Sequence, residues 1–194
     1  MNDKLEKREL REKMIQLRAS LSESEINSMS ISLLEKLKVL PIWAYKSYHI
    51  FLPIATKKEI NTYPIIQYLW DRNKQVSVPK VNTVKNLIES FIFKKGDRLK
   101  KNRYGVEEPI EEKIIPTPSI EVLFIPLLGC DEKGYRVGYG KGFYDDFLAH
   151  SKRGALKIGL SFFAPIKKIE DIRKEDIGLN RLVTPFNTYE FLKE

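Results

Sequence analysis

The feature that most constrains the fold is an apolar segment that runs directly into a glycine-rich loop. Residues 120–128 read IEVLFIPLL, and in residues 134–148, GYRVGYGKGFYDDFL, four of the chain's ten glycines lie within nine positions. A short apolar run bounded by turn residues predicts a buried strand, and the residues after the glycines predict the start of a helix. Glycine amides approach an anion without interference from Cβ, and a helix N-terminus adds partial positive charge. This order therefore predicts a phosphate-binding site.

The loop differs from two common phosphate-binding fingerprints. A Walker A loop requires G-x-x-x-x-G-K-[ST], whereas Lys141 is followed by glycine, and a dinucleotide fingerprint requires G-x-G-x-x-G near the first strand. A glycine-rich stretch is also compatible with a flexible connection, and an acid in a first helical turn with a simple dipole contact. Two cations, Arg136 and Lys141, and two acids, Asp145 and Asp146, favour a site for phosphate with a divalent metal.

Composition restricts the class of protein. The chain has 194 residues, of which 42% are hydrophobic and 31% charged, as in a soluble globular protein. One cysteine excludes an internal disulfide framework, and with two histidines it makes a tetrahedral zinc site improbable. Apolar runs near 18 residues are absent and the N-terminus is charged, so we expect a cytoplasmic protein without a membrane span or a secretory signal.

The net charge of +8 indicates anionic partners such as nucleotides, nucleic acid or polycarboxylates. Lysines are dispersed along the chain, and a solvated lysine-rich surface is an equally simple interpretation of the charge. RNA binding without catalysis therefore stays an alternative to an enzyme, although the aromatic residues form no recognised RNA-binding motif.

The order of predicted elements indicates the fold class. Helices are predicted over residues 3–19, 22–38, 64–72 and 143–150, and strands over 47–52, 75–79, 87–93, 120–128, 155–160 and 181–184. Ser22 and Glu25 form a capping box at the start of the second helix. The polar, proline-punctuated stretch 96–118 predicts a long loop with a little local structure. We expect an α/β fold in which one three-layer domain, residues 1–194, has a central, mostly parallel sheet flanked by helices.

Residues 136–145, RVGYGKGFYD, resemble the R-L-G-x-G-x-G-Y-Y-D signature of the 5-formyltetrahydrofolate cyclo-ligase family, also called methenyltetrahydrofolate synthetases. Further segments resemble the family in the same order: KRELR at 7–11, FL at 51–52 followed by EINT at 59–62, YGVEEP at 104–109, FIP at 124–126, and EDIGL with VT at 175–184. Because the matches span nearly the whole chain, chance similarity of one glycine loop is a poor explanation.

The resemblance implies an ATP- and Mg²⁺-dependent ligase that converts 5-formyltetrahydrofolate to 5,10-methenyltetrahydrofolate. In the family mechanism the formyl oxygen takes the γ-phosphoryl group of ATP, after which N10 attacks, closes the ring and expels phosphate. Such chemistry requires positioning and charge stabilisation rather than an enzyme nucleophile. The implied partners are ATP and a folate with a glutamate tail, including polyglutamates, bound by a monomer that contacts neither nucleic acid nor a membrane.

The resemblance also implies residue roles. Implied ATP contacts are Lys7, Arg8, Arg11, Arg136, Val137, Gly138, Tyr139, Gly140, Lys141, Gly142, Phe143 and Tyr144. Implied folate contacts are Leu52, Glu59, Tyr104, Tyr139, Gly140, Lys141, Gly142 and Phe143. Lys141 and Tyr144 are the implied catalytic residues, and Asp145 and Asp176 the implied Mg²⁺ ligands. Without the resemblance, Lys7 and Arg11 would be interpreted as a solvated helix face. Leu52 would be interpreted as a core residue and Glu59 as a surface acid.

Two substitutions separate this chain from the family pattern. Phe143 replaces the first tyrosine of Y-Y-D, so a role that needs that hydroxyl is absent, and Tyr144 keeps the second. Glu175 stands where many relatives have histidine before the aspartate. A relative that binds ATP or folate without turnover is the remaining alternative, and the retained Lys141, Tyr144 and both acids argue against it.

Overall fold

An eight-stranded sheet forms the centre of the computed structural model, which describes residues 4–82, 84–85, 87–102, 105–110 and 113–191. The helices in these ranges are α1 Lys7–Ala19, α2 Glu23–Lys38, α3 Tyr63–Trp70 and α4 Phe143–Ala149. The strands are β1 Lys4–Leu5, β2 Ser47–His49, β3 Gln75–Asn82, β4 Leu87–Ile92, β5 Leu99–Lys101, β6 Glu107–Pro109, β7 Ile114–Ile115, β8 Val122–Pro126, β9 Gly129–Cys130, β10 Arg136–Val137, β11 Leu156–Leu160, β12 Lys168–Ile169, β13 Arg181–Val183 and β14 Thr188–Glu190.

The sheet has the order β14-β13-β11-β8-β2-β3-β4-β7. Its middle strands, from β13 through β3, are parallel neighbours, while β14 at one edge and β4 and β7 at the other are antiparallel. The predicted α/β fold with a mostly parallel central sheet is therefore confirmed. Whether residues 1–194 form one domain stays a prediction.

Strand β8 shows why the apolar run predicts a buried strand. Val122 and Phe124 pack on one face of the sheet with residues of α2 and α3, while Leu123 and Ile125 pack on the other face with residues of α4. All four side chains are fully buried. A strand covered on both faces needs apolar residues at consecutive positions rather than at alternate ones.

Helix α1 lies against the segment that leads into the glycine loop. Leu10 and Met14 form a third apolar cluster with residues that include Leu128 and Val137. A Cβ atom at Gly129 would lie 3.0 Å from Cγ of Leu10, so the glycine permits this close approach. The packing places the polar face of α1, with its cations, beside the loop.

Several predicted boundaries differ from the structure. The predicted strand 47–52 ends at His49; Ile50 still donates its backbone N–H to the carbonyl of Ser77 at 2.9 Å, and residues 50–52 stay buried. The predicted loop 96–118 contains β5, β6 and β7, and β14 follows the last predicted strand. Each of these strands has only two or three residues, which is too short for an alternating pattern to be detected.

Candidate active site

The glycine loop begins at a small hairpin and ends at α4. Strands β9 and β10 pair antiparallel, with Arg136 opposite Cys130. The buried carboxylate of Asp131 accepts hydrogen bonds from the backbone N–H groups of Lys133 and Tyr135, at 3.0 and 2.9 Å, and thereby fixes the turn. Desolvation raises the pKa of Asp131 above its usual value, against these hydrogen bonds. The glycine loop therefore begins directly after a turn, residues 131–135, that is held by these hydrogen bonds.

Two glycines set the course of the loop. Gly140 has φ +89° and Gly142, the residue before α4, has φ +71°. Side chains other than glycine are strained in this left-handed region. The glycines are consequently required by the backbone path itself as well as by the approach of a ligand.

The α1 cations reach the loop and the chain segment before β13. Arg11 donates from Nε to the carbonyl of Gly138 at 3.0 Å. Lys7 forms an ion pair with Asp176, which also accepts from the backbone N–H of Arg173 at 2.7 Å. Tertiary structure thus brings together predicted site residues from the first and last thirds of the sequence.

A second ion pair lies inside the loop. Arg136 donates from one guanidinium nitrogen to Oδ1 of Asp145 at 2.8 Å and from the other to the carbonyl of Ile177 at 2.6 Å. The arginine side chain is almost fully buried, whereas the aspartate side chain is partly exposed. Each of the two predicted Mg²⁺ ligands is therefore paired with a predicted ATP-binding cation.

Glu59 forms the buried acidic part of the site. Its Oε2 accepts from the backbone N–H of Ile54 at 2.9 Å, and its Oε1 accepts from the hydroxyl of Tyr139 at 2.8 Å. Burial raises the pKa of Glu59, and these bonds together with the charges of Arg18 and Lys57 oppose the rise. The sequence predicted a folate contact here but did not show that the acid is buried.

Tyr144 contacts a buried histidine. Nε2 of His49 lies 3.4 Å from the Tyr144 hydroxyl, and Nδ1 lies 3.0 Å from Oγ of Ser90. Burial lowers the pKa of His49 to about 3, so the ring is neutral near pH 7. Burial, followed by the charge of Glu59, raises the pKa of Tyr144 and keeps its hydroxyl protonated.

One cavity of about 520 Å³ is lined by most of the predicted site residues. Predicted site residues in its wall are Lys7, Arg11, Leu52, Glu59, Arg136, Val137, Gly138, Tyr139, Gly140, Lys141, Gly142, Phe143, Tyr144, Asp145 and Asp176. Arg8 is exposed on α1 and is absent from the wall. Tyr104 lies outside the described residues. The cavity volume is in the range of small-molecule and cofactor sites.

Comparisons with known proteins identify the family. The model of the 5-formyltetrahydrofolate cyclo-ligase family matches residues 3–184. The chain belongs to this family. It is 29% identical to a probable 5-formyltetrahydrofolate cyclo-ligase of Schizosaccharomyces pombe over 93% of this chain and 96% of the relative. The NMR structure of Aquifex aeolicus 5,10-methenyltetrahydrofolate synthetase is similar with a TM-score of 0.80 and 29% identity, over 97% of this chain and 94% of that one.

A second curated relative supports membership in the cyclo-ligase family. The 5-formyltetrahydrofolate cyclo-ligase of Haemophilus influenzae is 28% identical over 80% of this chain and 81% of the relative. The predicted resemblance to the family is therefore confirmed. Assignment of individual residues to ATP, folate or metal stays a proposal.

The family signature did not reveal every polar residue of the site. Arg18 of α1, which is 5% exposed, donates to the Tyr139 hydroxyl at 3.1 Å and to the carbonyl of Leu127 at 2.8 Å. The Nζ atom of Lys57 lies 3.9 Å from the centre of the Tyr139 ring. Arg18 lies one turn beyond Met14 on the packed face of α1. A charged residue at a position where the helical periodicity requires an apolar one is the sequence signal that could have identified it.

The cavity wall also includes residues that were not predicted. These are Phe51, Ile54, Lys57, Pro79, Val81, Ile88, Val106, Glu108, Pro126, Leu127, Arg173 and Glu175. Most are apolar and come from β3, β4, β8 and the connections beside them. They give the cavity an apolar wall in addition to its charged loop, and the tertiary structure is what brings them to the cavity.

The carboxylates at the cavity fit Mg²⁺ that arrives with a nucleotide. Asp145 and Asp176 both line the cavity and supply the oxygen donors that Mg²⁺ prefers. Across the described ranges, no group of three or more histidine, cysteine or acidic side chains is placed to hold a metal. Two carboxylates would need phosphate oxygens and water to complete six-fold coordination, which is the usual mode for this ion.

Proposed function

We propose that this protein uses ATP and Mg²⁺ to convert 5-formyltetrahydrofolate to 5,10-methenyltetrahydrofolate, with release of ADP and phosphate. The observation that supports this most strongly is the cavity itself. One wall holds the glycine loop with four cations and two carboxylates, and another holds the buried Glu59 among apolar side chains. A family member with both walls intact has the groups needed for a nucleotide and a folate side by side.

The charged wall suits the phosphates of ATP. Lys7, Arg11, Arg136 and Lys141 line the cavity, and cations of this kind neutralise phosphate oxygens. The turns at Gly140 and Gly142 keep Cβ atoms away from the bound anion. We assign Lys141 to the transferring phosphoryl group, where a fixed positive charge lowers the free energy of the transition state.

The apolar wall suits the folate ring system. Glu59 is the hydrogen-bond acceptor that we assign to the N–H groups of the pterin, and Leu52 and Phe143 contribute apolar contact area. Tyr139, a residue of the glycine loop, also lines the cavity, and its hydroxyl donates to Glu59 at 2.8 Å. This arrangement is consistent with loop residues that contact both the nucleotide and the folate.

The chemistry places few demands on protein side chains. As the family mechanism implies, the formyl oxygen attacks the γ-phosphorus of ATP, N10 then attacks the activated formyl carbon, and phosphate leaves as the ring closes. The residues orient the two substrates in line and stabilise developing negative charge. Mg²⁺ held by Asp145 and Asp176 would neutralise charge on the β- and γ-phosphates.

The hydrogen bonds around Tyr144 give its hydroxyl a defined direction. We assign Ser90 as donor to Nδ1 of His49, which leaves the neutral ring a proton on Nε2 to donate to the Tyr144 oxygen. The tyrosine proton is then available to an oxygen of the reacting group in the cavity. In this role Tyr144 is a hydrogen-bond donor rather than a base, consistent with the raised pKa of its hydroxyl.

The purified protein tests this function directly. With 5-formyltetrahydrofolate, ATP and Mg²⁺ we expect the absorbance of the methenyl product to appear, and omission of ATP or Mg²⁺ to abolish it. Lys141→Met should lower turnover by about 100-fold or more. Lys133→Met, at an exposed position outside the cavity wall, is the matched control and should keep wild-type turnover.

Two results would overturn this proposed function and favour another. Binding of ATP and folate by folded protein without product would indicate a relative that lacks catalysis. An RNA complex that weakens with salt but survives saturating ATP and folate would favour the RNA-binding alternative.

We also propose that the protein acts as a monomer in the cytoplasm, on folates with one or several glutamates, without contact with nucleic acid. The net charge of +8 suits a polyanionic tail. Within the described ranges, no helix is long and apolar enough to cross a membrane. Light scattering after size-exclusion chromatography, localisation in cells and turnover of folates with different tail lengths test these points.

A further inference from the structure

A buried polar network connects α1 with both walls of the cavity. One guanidinium nitrogen of Arg18 donates to the Tyr139 hydroxyl at 3.1 Å and lies 4.0 Å from Oε1 of Glu59. The Tyr139 hydroxyl in turn donates to the same Oε1 at 2.8 Å. Arg18 and Glu59 are 5% and 7% exposed. The arginine lies behind the cavity wall, and Tyr139 and Glu59 form part of that wall.

The chemistry of the three groups fixes the direction of every hydrogen bond. A guanidinium group only donates, and the Tyr139 hydroxyl has a single proton. Since Tyr139 accepts from Arg18, its proton goes to Glu59, which is the better acceptor when it is ionised. Arg18 thus sets both the orientation of the tyrosine and the charge state that the network favours at the glutamate.

Two further contacts keep Arg18 and Tyr139 in place. The second guanidinium nitrogen of Arg18 donates to the carbonyl of Leu127, just after β8, at 2.8 Å. The Lys57 ammonium lies over the ring of Tyr139, 3.9 Å from its centre. Arg18 is therefore anchored to the residue that follows β8, and from there it contacts the side chains of Tyr139 and Glu59 in the cavity wall.

One nitrogen of the Arg18 guanidinium group is not satisfied. Its Nε is buried and has no hydrogen-bond partner among the described residues. Buried donors without partners are rare in native proteins, and each one calls for an explanation. A role in which the guanidinium group must point its two terminal nitrogens at Tyr139 and Leu127 supplies that explanation.

We propose that Arg18 is a positioning residue for folate binding, which acts through Tyr139 and Glu59 without touching the substrate. Its positive charge favours the ionised form of the Glu59 carboxylate, and its hydrogen bond fixes the Tyr139 hydroxyl beside that carboxylate. This inference rests on the proposed function, because it takes the ligand of Glu59 to be a folate. It assigns to Arg18 no contact with ATP.

Substrate binding by three variants tests the role of Arg18. Arg18→Met should raise the dissociation constant for 5-formyltetrahydrofolate by about tenfold or more, since it removes hydrogen bonds from a charged group, while the constant for ATP changes less than about twofold. Arg18→Lys should recover part of the loss. Lys13→Met, at an exposed position of the same helix, should change neither constant. An equal loss of folate and ATP affinity would indicate a merely structural role and overturn the proposal.

Tyr139→Phe keeps the test decisive if Arg18→Met does not fold. This variant retains the ring and removes only the hydroxyl through which Arg18 reaches Glu59. We expect weaker folate binding, and a smaller effect of Arg18→Lys on folate binding in the Tyr139→Phe background than in wild type. Unchanged folate affinity in folded Tyr139→Phe would overturn the proposal.

The wild-type measurements separate this inference from the proposed function. If the wild-type protein neither binds nor converts 5-formyltetrahydrofolate, the proposed function is wrong, and the role of Arg18 is overturned with it. If wild type binds and converts the folate while Arg18→Met and Tyr139→Phe retain its affinity, only the role of Arg18 is wrong.

Discussion

The guanidinium group of Arg136 lies 2.8 Å from Oδ1 of Asp145, so a cation assigned to ATP is bonded to an acid assigned to Mg²⁺. Lys7 and Asp176, which also line the cavity, form an equivalent pair. When Mg²⁺ and ATP bind together, each cation would gain a phosphate and each carboxylate a metal. Either ligand alone would leave one partner of each pair without compensation, and partly buried charges make that unfavourable.

Asp145→Asn should uncouple the two ligands. The variant removes the carboxylate that competes for Arg136, so we expect ATP to bind in the absence of Mg²⁺ at least as tightly as in wild type. The gain in affinity on addition of Mg²⁺ should shrink, and turnover should fall by about 100-fold or more. Calorimetric titration of ATP with and without Mg²⁺, together with the absorbance assay, measures both effects.

Asp146→Asn is the matched control for that experiment. Asp146 is the next residue of α4, is exposed and does not line the large cavity. It should retain wild-type turnover and Mg²⁺ dependence. Wild-type Mg²⁺ dependence in the Asp145 variant would remove that residue from the metal site.

Gly140→Ala should destabilise the fold by about 1–2 kcal/mol, because the backbone at φ +89° is strained for any residue with a Cβ. That Cβ would also lie 3.4 Å from a guanidinium nitrogen of Arg11. Gly138→Ala is the control, since its Cβ would meet no atom within 4 Å. Urea unfolding compares the two variants, and equal free energies of unfolding would show that the positive φ is not required.

Ser22→Ala should lower the free energy of unfolding by about 1 kcal/mol, because it removes the cap of α2. Ser22 Oγ accepts from the backbone N–H of Glu25 at 3.2 Å, and the Glu25 carboxylate accepts from the Ser22 N–H at 2.7 Å. Ser24→Ala, at an exposed position in the first turn, is the control. A loss of equal size in both variants, measured by urea unfolding, would argue against a capping role.

His49 should make stability depend on pH. Burial lowers its pKa from 6.5 to about 3, so between these values the unfolded chain binds a proton that the folded chain does not. Stability therefore rises with pH across this window, and the contribution is lost as pH falls below 6.5. From linkage, His49 should account for about 2 kcal/mol of the loss between pH 8 and pH 5.

His49→Asn tests the pH dependence, whatever its effect on stability at one pH. The difference in the free energy of unfolding between pH 8 and pH 5 should be smaller in this variant than in wild type by that amount. His150→Asn, at an exposed position, should keep the wild-type difference. An unchanged difference in the His49 variant would show that the buried ring is charged in the folded protein.

Much of the fold was predictable because its signals are local. The capping box at Ser22, the apolar run of β8 and the glycines before α4 each specify a structure within a few residues. Strands β5, β6, β7 and β14 were less accessible to prediction, since two or three residues carry too little pattern to distinguish a strand from a loop.

The features of the candidate site likewise separate into those that the sequence predicts and those that depend on the tertiary structure. The sequence by itself determined the family, the glycine loop and the positions of the cations and acids, because these residues occur in an ordered signature. Only the tertiary structure decided that Lys7 meets Asp176, that Glu59 is buried beneath Tyr139 and that Arg18 lies behind them. The physical reason is that these contacts form only when distant segments fold together, since the partners Lys7 and Asp176, Arg18 and Tyr139, and Glu59 and Tyr139 are 169, 121 and 80 residues apart in the chain.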